Sequence, residues 1–198
     1  MIIKFVQFFS IFVLLFFSAP VLSAKDGDPV PIFEGIEKTE EEIARDEELV
    51  RKSLELTNGD AELAAQFSVQ AAWERIARND PNGAINRLNQ AWLIKPDFAP
   101  INWGFAVATH IRGDDLKKVE RWFVRTEQDF KDNPRLLSDH GRVLEERQFP
   151  ERAKSYFEQA LLIDPSYEAA HIGMIKVARA LGDKALEEKH QEIFDGLQ

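Results

Sequence analysis

The sequence predicts an all-α chain of stacked helical hairpins. From Asp60 onward no stretch alternates apolar and polar residues, whereas helical periodicity recurs and is broken by short turns every dozen or so residues. Several breaks share one chemistry, a polar cap followed by proline in the first helical turn, as in Asp80-Pro81 and Asn133-Pro134. Proline is tolerated there because the N–H it lacks has no partner in the helix. Small and apolar residues also recur at a fixed step. Ala84, Leu88, Ala91 and Pro96 have the same internal spacing as Ala153, Phe157, Ala160 and Pro165, 69 residues later, with Val119, Phe123, Thr126 and Lys131 as a weaker copy between them.

Taken in order, residues 1–24 carry one charge, Lys4, an unbroken apolar run at 11–17, then Pro20 and the small residues Ser23 and Ala24. This is the three-part pattern of a secretory signal peptide, expected to be cut after Ser23 or Ala24. As an uncleaved anchor it would fall short of the ~20 apolar residues a membrane span needs. Without cysteine the chain is not a lipoprotein, and the expected location is the periplasm or the exterior. Residues 25–38, with Gly27, Pro29, Pro31 and Gly35, read as an extended linker outside the core. Thr39 and Glu42 form a capping box that opens a capping helix within 39–58, running from about Glu40 to Leu56 and stopped by Asn58-Gly59. Residues 59–198 hold the repeats.

The step repeats at the turns Asn79-Asp80, Gly113-Asp114, Gln148-Phe149 and Gly182-Asp183, with one extra residue in the turn that follows Gly113. Ala72 and Gly141 each precede their alanine partner by twelve residues. In these landmarks the chain resembles the tetratricopeptide repeat family, whose unit is a 34-residue helix–turn–helix. The copies fall at 65–98, 99–133 and 134–167, with a degenerate one at 168–198. The family's early aromatic is replaced by Ser68, Asn102, Leu137 and His171. The stretch from Asn89 to Phe105 is also similar to exported bacterial repeat proteins. The resemblance implies a right-handed α-solenoid of about three and a half units, closed by capping helices at both ends. The final helix, from Leu186 to Phe194, is expected to turn Ile193 and Phe194 inward.

Stacked hairpins line their concave side with the first helix of each pair. Projection onto that side selects Trp73, Trp103, His110, Arg135, Ser138, Arg142, Glu145, Lys176 and Arg179, aromatic toward the N-terminal end and basic toward the other. Arg142 and Lys176 lie one repeat apart and are expected side by side. Such a face suits a protein or peptide partner bearing an acidic group or C-terminal carboxylate. The competing reading makes the tryptophans core and pairs the cations with Glu145 or other local acids. The lysine and asparagine set by which some family members clamp chaperone tails is not matched, because Val69 and Trp73 stand in the corresponding helix.

Other functions are argued against by residue type. Lys and Arg number 25 against 34 Asp and Glu, so the chain lacks the positive field of a nucleic-acid binder. Of the four histidines, 110, 140, 171 and 190, no two stand three or four apart, and with no cysteine no metal site or cofactor is expected. His140 and His171 fall at packing positions of first helices. No phosphate loop or nucleophile elbow is present, and the acidic runs at 40–42 and 46–48 read as a solvated helix face. The expectation is a noncatalytic adaptor in the bacterial envelope. The alternative is an envelope enzyme or small-molecule carrier with a pocket near Trp73, Trp103 and His110.

Overall fold

Capping chemistry marks where several of the helices begin. In the computed structural model, which describes residues 28–33 and 36–197, α1 (Glu40–Leu56) opens on the expected box: Glu42 N–H donates to Thr39 Oγ1 at 3.3 Å and Thr39 N–H to Glu42 Oε2 at 2.7 Å. Asp60 caps α2 (Ala61–Ala77), and Asp80 caps α3 (Pro81–Ile94), accepting from Gly83 N–H at 2.8 Å. After α4 (Pro100–Arg112) come α5 (Leu116–Glu127), capped by Asp115, and α6 (Pro134–Glu146), capped by Asn133. α7 (Pro150–Ile163), α8 (Glu168–Leu181) and α9 (Lys184–Leu197) complete the order. Among the described residues there is no strand. None of the helices described is long and apolar enough to cross a membrane. The expected signal peptide, 1–24, lies outside the described residues, as do 25–27 of the linker.

The helix ends repeat as the sequence landmarks do. Asn79, Gly113, Gln148 and Gly182 all have left-handed φ, at 56°, 91°, 65° and 72°. Their steps are 34, 35 and 34 residues, so the extra residue falls after Gly113. Following Asn79, Gln148 and Gly182, the next N–H reaches back five residues: Asp80 to Arg75 O, Phe149 to Leu144 O and Asp183 to Ala178 O, each 2.9 Å. Gly59 does the same to Leu54 O at 2.7 Å. This is the Schellman closure, which satisfies a carbonyl the helix leaves open and reverses the chain into the next helix.

The chain forms two compact units, 1–112 and 113–198, divided at the Gly113 turn. In the first, α2 pairs with α3, and α4 lies against both. Ala72, Ala84 and Ala91 are fully buried, and so is Leu88, which fits where Gly104 has no side chain. A Cβ added at Gly104 would stand 2.4 Å from Leu88 Cδ2. In the second unit α6 pairs with α7, α8 packs on both, and α9 closes on α8. Phe157, 1% exposed, fills the same role there between two glycines: a Cβ at Gly141 would lie 2.9 Å from its ring and one at Gly173 only 2.3 Å. Leu88 and Phe157, and Gly104 and Gly173, are both 69 residues apart. Each such side chain, fully buried, contributes about 1.5–3 kcal/mol. The weak middle copy also packs. Val119, Phe123 and Thr126 are wholly buried, and Thr126 spends its hydroxyl on Trp122 O at 2.9 Å.

Two expectations change. The linker is not free of the core over 28–33. Pro29 and Pro31 are buried, and a short 3-10 turn (Pro31–Phe33) packs on α3, because side chains of α3 and α4 bind the backbone of Pro29, Val30 and Ile32. In the last helix the buried residue is His190; Phe194 is half-buried, whereas Ile193 stays 37% exposed. A hydrogen bond between His171 of α8 and His190 turns that face of α9 inward.

Candidate functional site

The residues projected onto the open face divide by unit. In the first, α2 brings Trp73 and α4 brings Trp103 into an edge-to-face pair, with centroids 5.6 Å apart and planes at 81°. Both rings are half-buried, so each is held by packing and keeps a rim at the surface. This geometry contributes about 0.5–1.5 kcal/mol beyond the buried area. His110, at the end of the same helix, is 9% exposed and points its imidazole inward rather than into an open groove.

In the second unit, Arg135 on α6 and Lys176 and Arg179 on α8 are exposed, and Arg142 and Glu145 are half-buried. Ser138 departs from the expected outward position. It is 5% exposed with its Oγ buried and unpartnered, one turn before Gly141 on the side of α6 that carries small residues. Arg142 is held by acids of its own helix, Glu146 at 3.1 Å and Asp139 at 3.4 Å, rather than by Glu145. Arg179 bonds Glu187 of α9 at 2.6 Å. Lys176 forms no ion pair among the described residues. Exposed pairs of this kind are worth about 0–1 kcal/mol, so an incoming carboxylate exchanges with them at little cost.

His140 and His171 are buried at packing positions, as expected, but the partners each meets are not given by the sequence. His140, 1% exposed, lies between the rings of Phe123, stacked at 4.3 Å, and Tyr156, at 4.0 Å. Its Nδ1 meets Glu127 Oε1 at 2.7 Å, while Nε2 is buried without a hydrogen bond, 3.8 Å from Glu120 Oε1. Arg152 pairs with Glu120 on the outer side. Burial, and then the negative charges of Glu127 and Glu120, push the Tyr156 hydroxyl up to about 12. An imidazole oriented by a carboxylate has the makings of a general base, yet the flanking rings seal this one from substrate. Its partners lie 13 and 20 positions upstream on another helix, so local spacing gives no signal of it.

The second histidine, His171, joins α8 to α9. His171 Nε2 lies 2.9 Å from Pro165 O, and its Nδ1 lies 2.9 Å from Nδ1 of His190. A carbonyl only accepts, so Nε2 of His171 carries a proton, and of the two facing Nδ1 atoms one must donate to the other. Burial first, then the nearby His171 and Lys189, push His190 down to about 4. Among the described residues no group of three or more His, Cys, Asp or Glu is placed to hold a metal ion. An open depression of about 660 Å³ lies over the α5–α6 connection, Gln128 to Pro134, in the other unit from the tryptophan pair.

No protein-family model matches the chain, and no curated protein is significantly similar to it.

Proposed function

We propose that the chain is a noncatalytic adaptor of the tetratricopeptide repeat kind, a right-handed α-solenoid of about three and a half units exported to the periplasm or beyond. It binds a protein or peptide partner through the first helices of its hairpins and serves assembly of an envelope complex. The family part of this reading is supported by left-handed turns at Asn79, Gly113, Gln148 and Gly182 and by the shared slots of Leu88 and Phe157.

The observation that carries the binding role is the Trp73–Trp103 pair, an edge-to-face contact between α2 and α4 of one unit in which neither residue is fully buried. Tryptophan is among the residues most enriched at binding hot spots. In the other unit Arg142, Lys176 and Arg179 supply cations for an acidic group or C-terminal carboxylate. The test is capture from envelope extract with the full chain as bait. A single stoichiometric partner, lost with Trp103→Ala and with Arg142→Glu/Lys176→Glu, is the expected result. Full retention by the charge-reversed variant removes the basic face from the proposal, and retention by both variants removes the open face altogether.

A further inference from the structure

The short segment ahead of α1 is read by side chains as a peptide ligand would be. Asn89 of α3, 1% exposed, uses both ends of its amide on the segment's main chain: Ile32 N–H donates to Oδ1 at 2.7 Å, and Nδ2 donates to Val30 O at 2.9 Å. Arg112 donates to Pro29 O at 2.6 Å, and Asn82 Nδ2 donates to Asp28 Oδ1 at 2.9 Å. Asn82, Asn86 and Asn89 are spaced i, i+4, i+7 and form one stripe along α3. Asp28 meets Asn82, and Val30 and Ile32 meet Asn89, so the segment runs alongside α3 in the same direction.

The fit is incomplete at the middle rung. Asn86 Oδ1 is buried with no hydrogen bond, and so is Asn82 Oδ1. Between Asp28, held by Asn82, and Val30, held by Asn89, the chain offers Pro29, which has no N–H to give. Ile32, whose N–H Asn89 receives, sits at φ 56°, a left-handed conformation that a β-branched residue rarely adopts. The site is more complete than its occupant.

We propose that the asparagine stripe of α3, with Arg112, is a binding site for an extended segment of a partner protein, and that residues 28–33 occupy it in cis as a weaker stand-in. The preferred ligand has an acidic residue for Asn82, then a residue other than proline whose N–H satisfies Asn86, then aliphatic residues whose backbone Asn89 clasps. Recognition is by main chain, with side chains setting the pattern. The surface combines α3 with Arg112 of α4 and uses none of the open-face residues, so it stands whether or not the adaptor reading does.

The test uses the full chain and two fluorescein-labelled hexapeptides, DPVPIF, copied from residues 28–33, and its alanine counterpart DAVPIF, read by fluorescence anisotropy. Ile32→Pro removes the N–H that Asn89 holds and cannot adopt φ 56°, so it frees the site. DAVPIF is expected to bind that variant about tenfold more tightly than it binds the unaltered chain, because a tethered competitor is gone. It should also exceed DPVPIF by about fivefold, the worth of one hydrogen bond. Asn86→Ala, made alongside Ile32→Pro, should bring the two peptides to equal affinity with an unchanged thermal melt. Asn89→Ala should abolish binding of both. Should Asn89→Ala unfold the first unit, the Asn86 comparison still decides. Equal affinity of the two peptides with Asn86 present, or no binding to the freed site, overturns the proposal. So do dimers in sedimentation that vanish with Asn89→Ala, since the occupant is then a second copy.

Discussion

Gly173→Ala tests the packing on which the second unit depends. In an ordinary helix this exchange stabilises by about 1 kcal/mol, because glycine gives up more backbone freedom on folding than alanine does. Here the new methyl would stand 2.3 Å from Cε1 and Cζ of Phe157 and 2.7 Å from Cδ1, well inside contact distance. The ring has little room to yield, because Phe157 is 1% exposed and the same edge also lies close to Gly141. Overpacking of this kind costs about 1–3 kcal/mol. The steric effect offsets or exceeds the gain in propensity, leaving a net loss of up to about 2 kcal/mol, each kcal/mol lowering Tm by roughly 4–8 °C for a unit of this size. The assay is thermal unfolding by circular dichroism, with Gly196→Ala as the control. A Cβ at Gly196 meets nothing within 4 Å, so that variant should be neutral or slightly stabilised. Phe157→Leu made together with Gly173→Ala should be more stable than the sum of the single changes by about 1 kcal/mol, the coupling expected for residues in contact. A Tm that rises with Gly173→Ala, or strict additivity of the pair, refutes the slot.

Further expectations concern the turns and the histidine pair. Gln148→Gly relieves a left-handed residue with a Cβ (φ 65°) and should raise Tm by a few degrees, from a gain of about 0.5–1 kcal/mol; a fall in Tm would show that the Gln148 side chain supports the turn. His190 is held near 4 in the fold against 6.5 unfolded, so below pH 6.5 the unfolded chain takes up a proton that the folded one refuses. Stability from this group is complete above pH 6.5 and is lost as pH falls toward 4, by roughly 3 kcal/mol at most. Denaturant titrations between pH 4 and 7 should show this slope, and His190→Gln should flatten it; a slope unchanged by His190→Gln rejects the assignment.

What the sequence disclosed was whatever local spacing encodes. The capping box at Thr39, the caps at Asp80 and Asn133 and the repeating turns are all readable within a few residues, and each appears where spacing put it. The alanine, aromatic, alanine pattern also foretold burial at Ala153, Phe157 and Ala160. Pairing across helices was less legible. Phe157 could be seen as core, but its seat between Gly141 and Gly173 depends on a third helix, and Gly173 alone gives no sign of it. His140 with Glu127, and His171 with His190, unite residues 13 and 19 apart whose helices need not meet on spacing grounds. The linker was misjudged because glycine and proline report backbone character, not what docks on them. Pro29 and Pro31 become buried through the side chains of Asn89 and Arg112, dozens of residues away. Of the residues that helix projection selects, Ser138 and His110 are buried, Trp73, Trp103, Arg142 and Glu145 half-buried, and Arg135, Lys176 and Arg179 exposed.

The asparagine clasp also sets an order of events in folding. Hairpin contacts join near neighbours in the chain and close small loops, whereas the bonds of Asn89 and Arg112 to the leading segment span 57 to 83 residues. Loop closure grows costlier with that separation, and few contacts reward it, so the clasp is the last part of the first unit to form and the first to open. Hydrogen exchange at Ile32 should therefore outpace exchange within α2 and α3, and the α3 stripe would be bared many times before any helix melts.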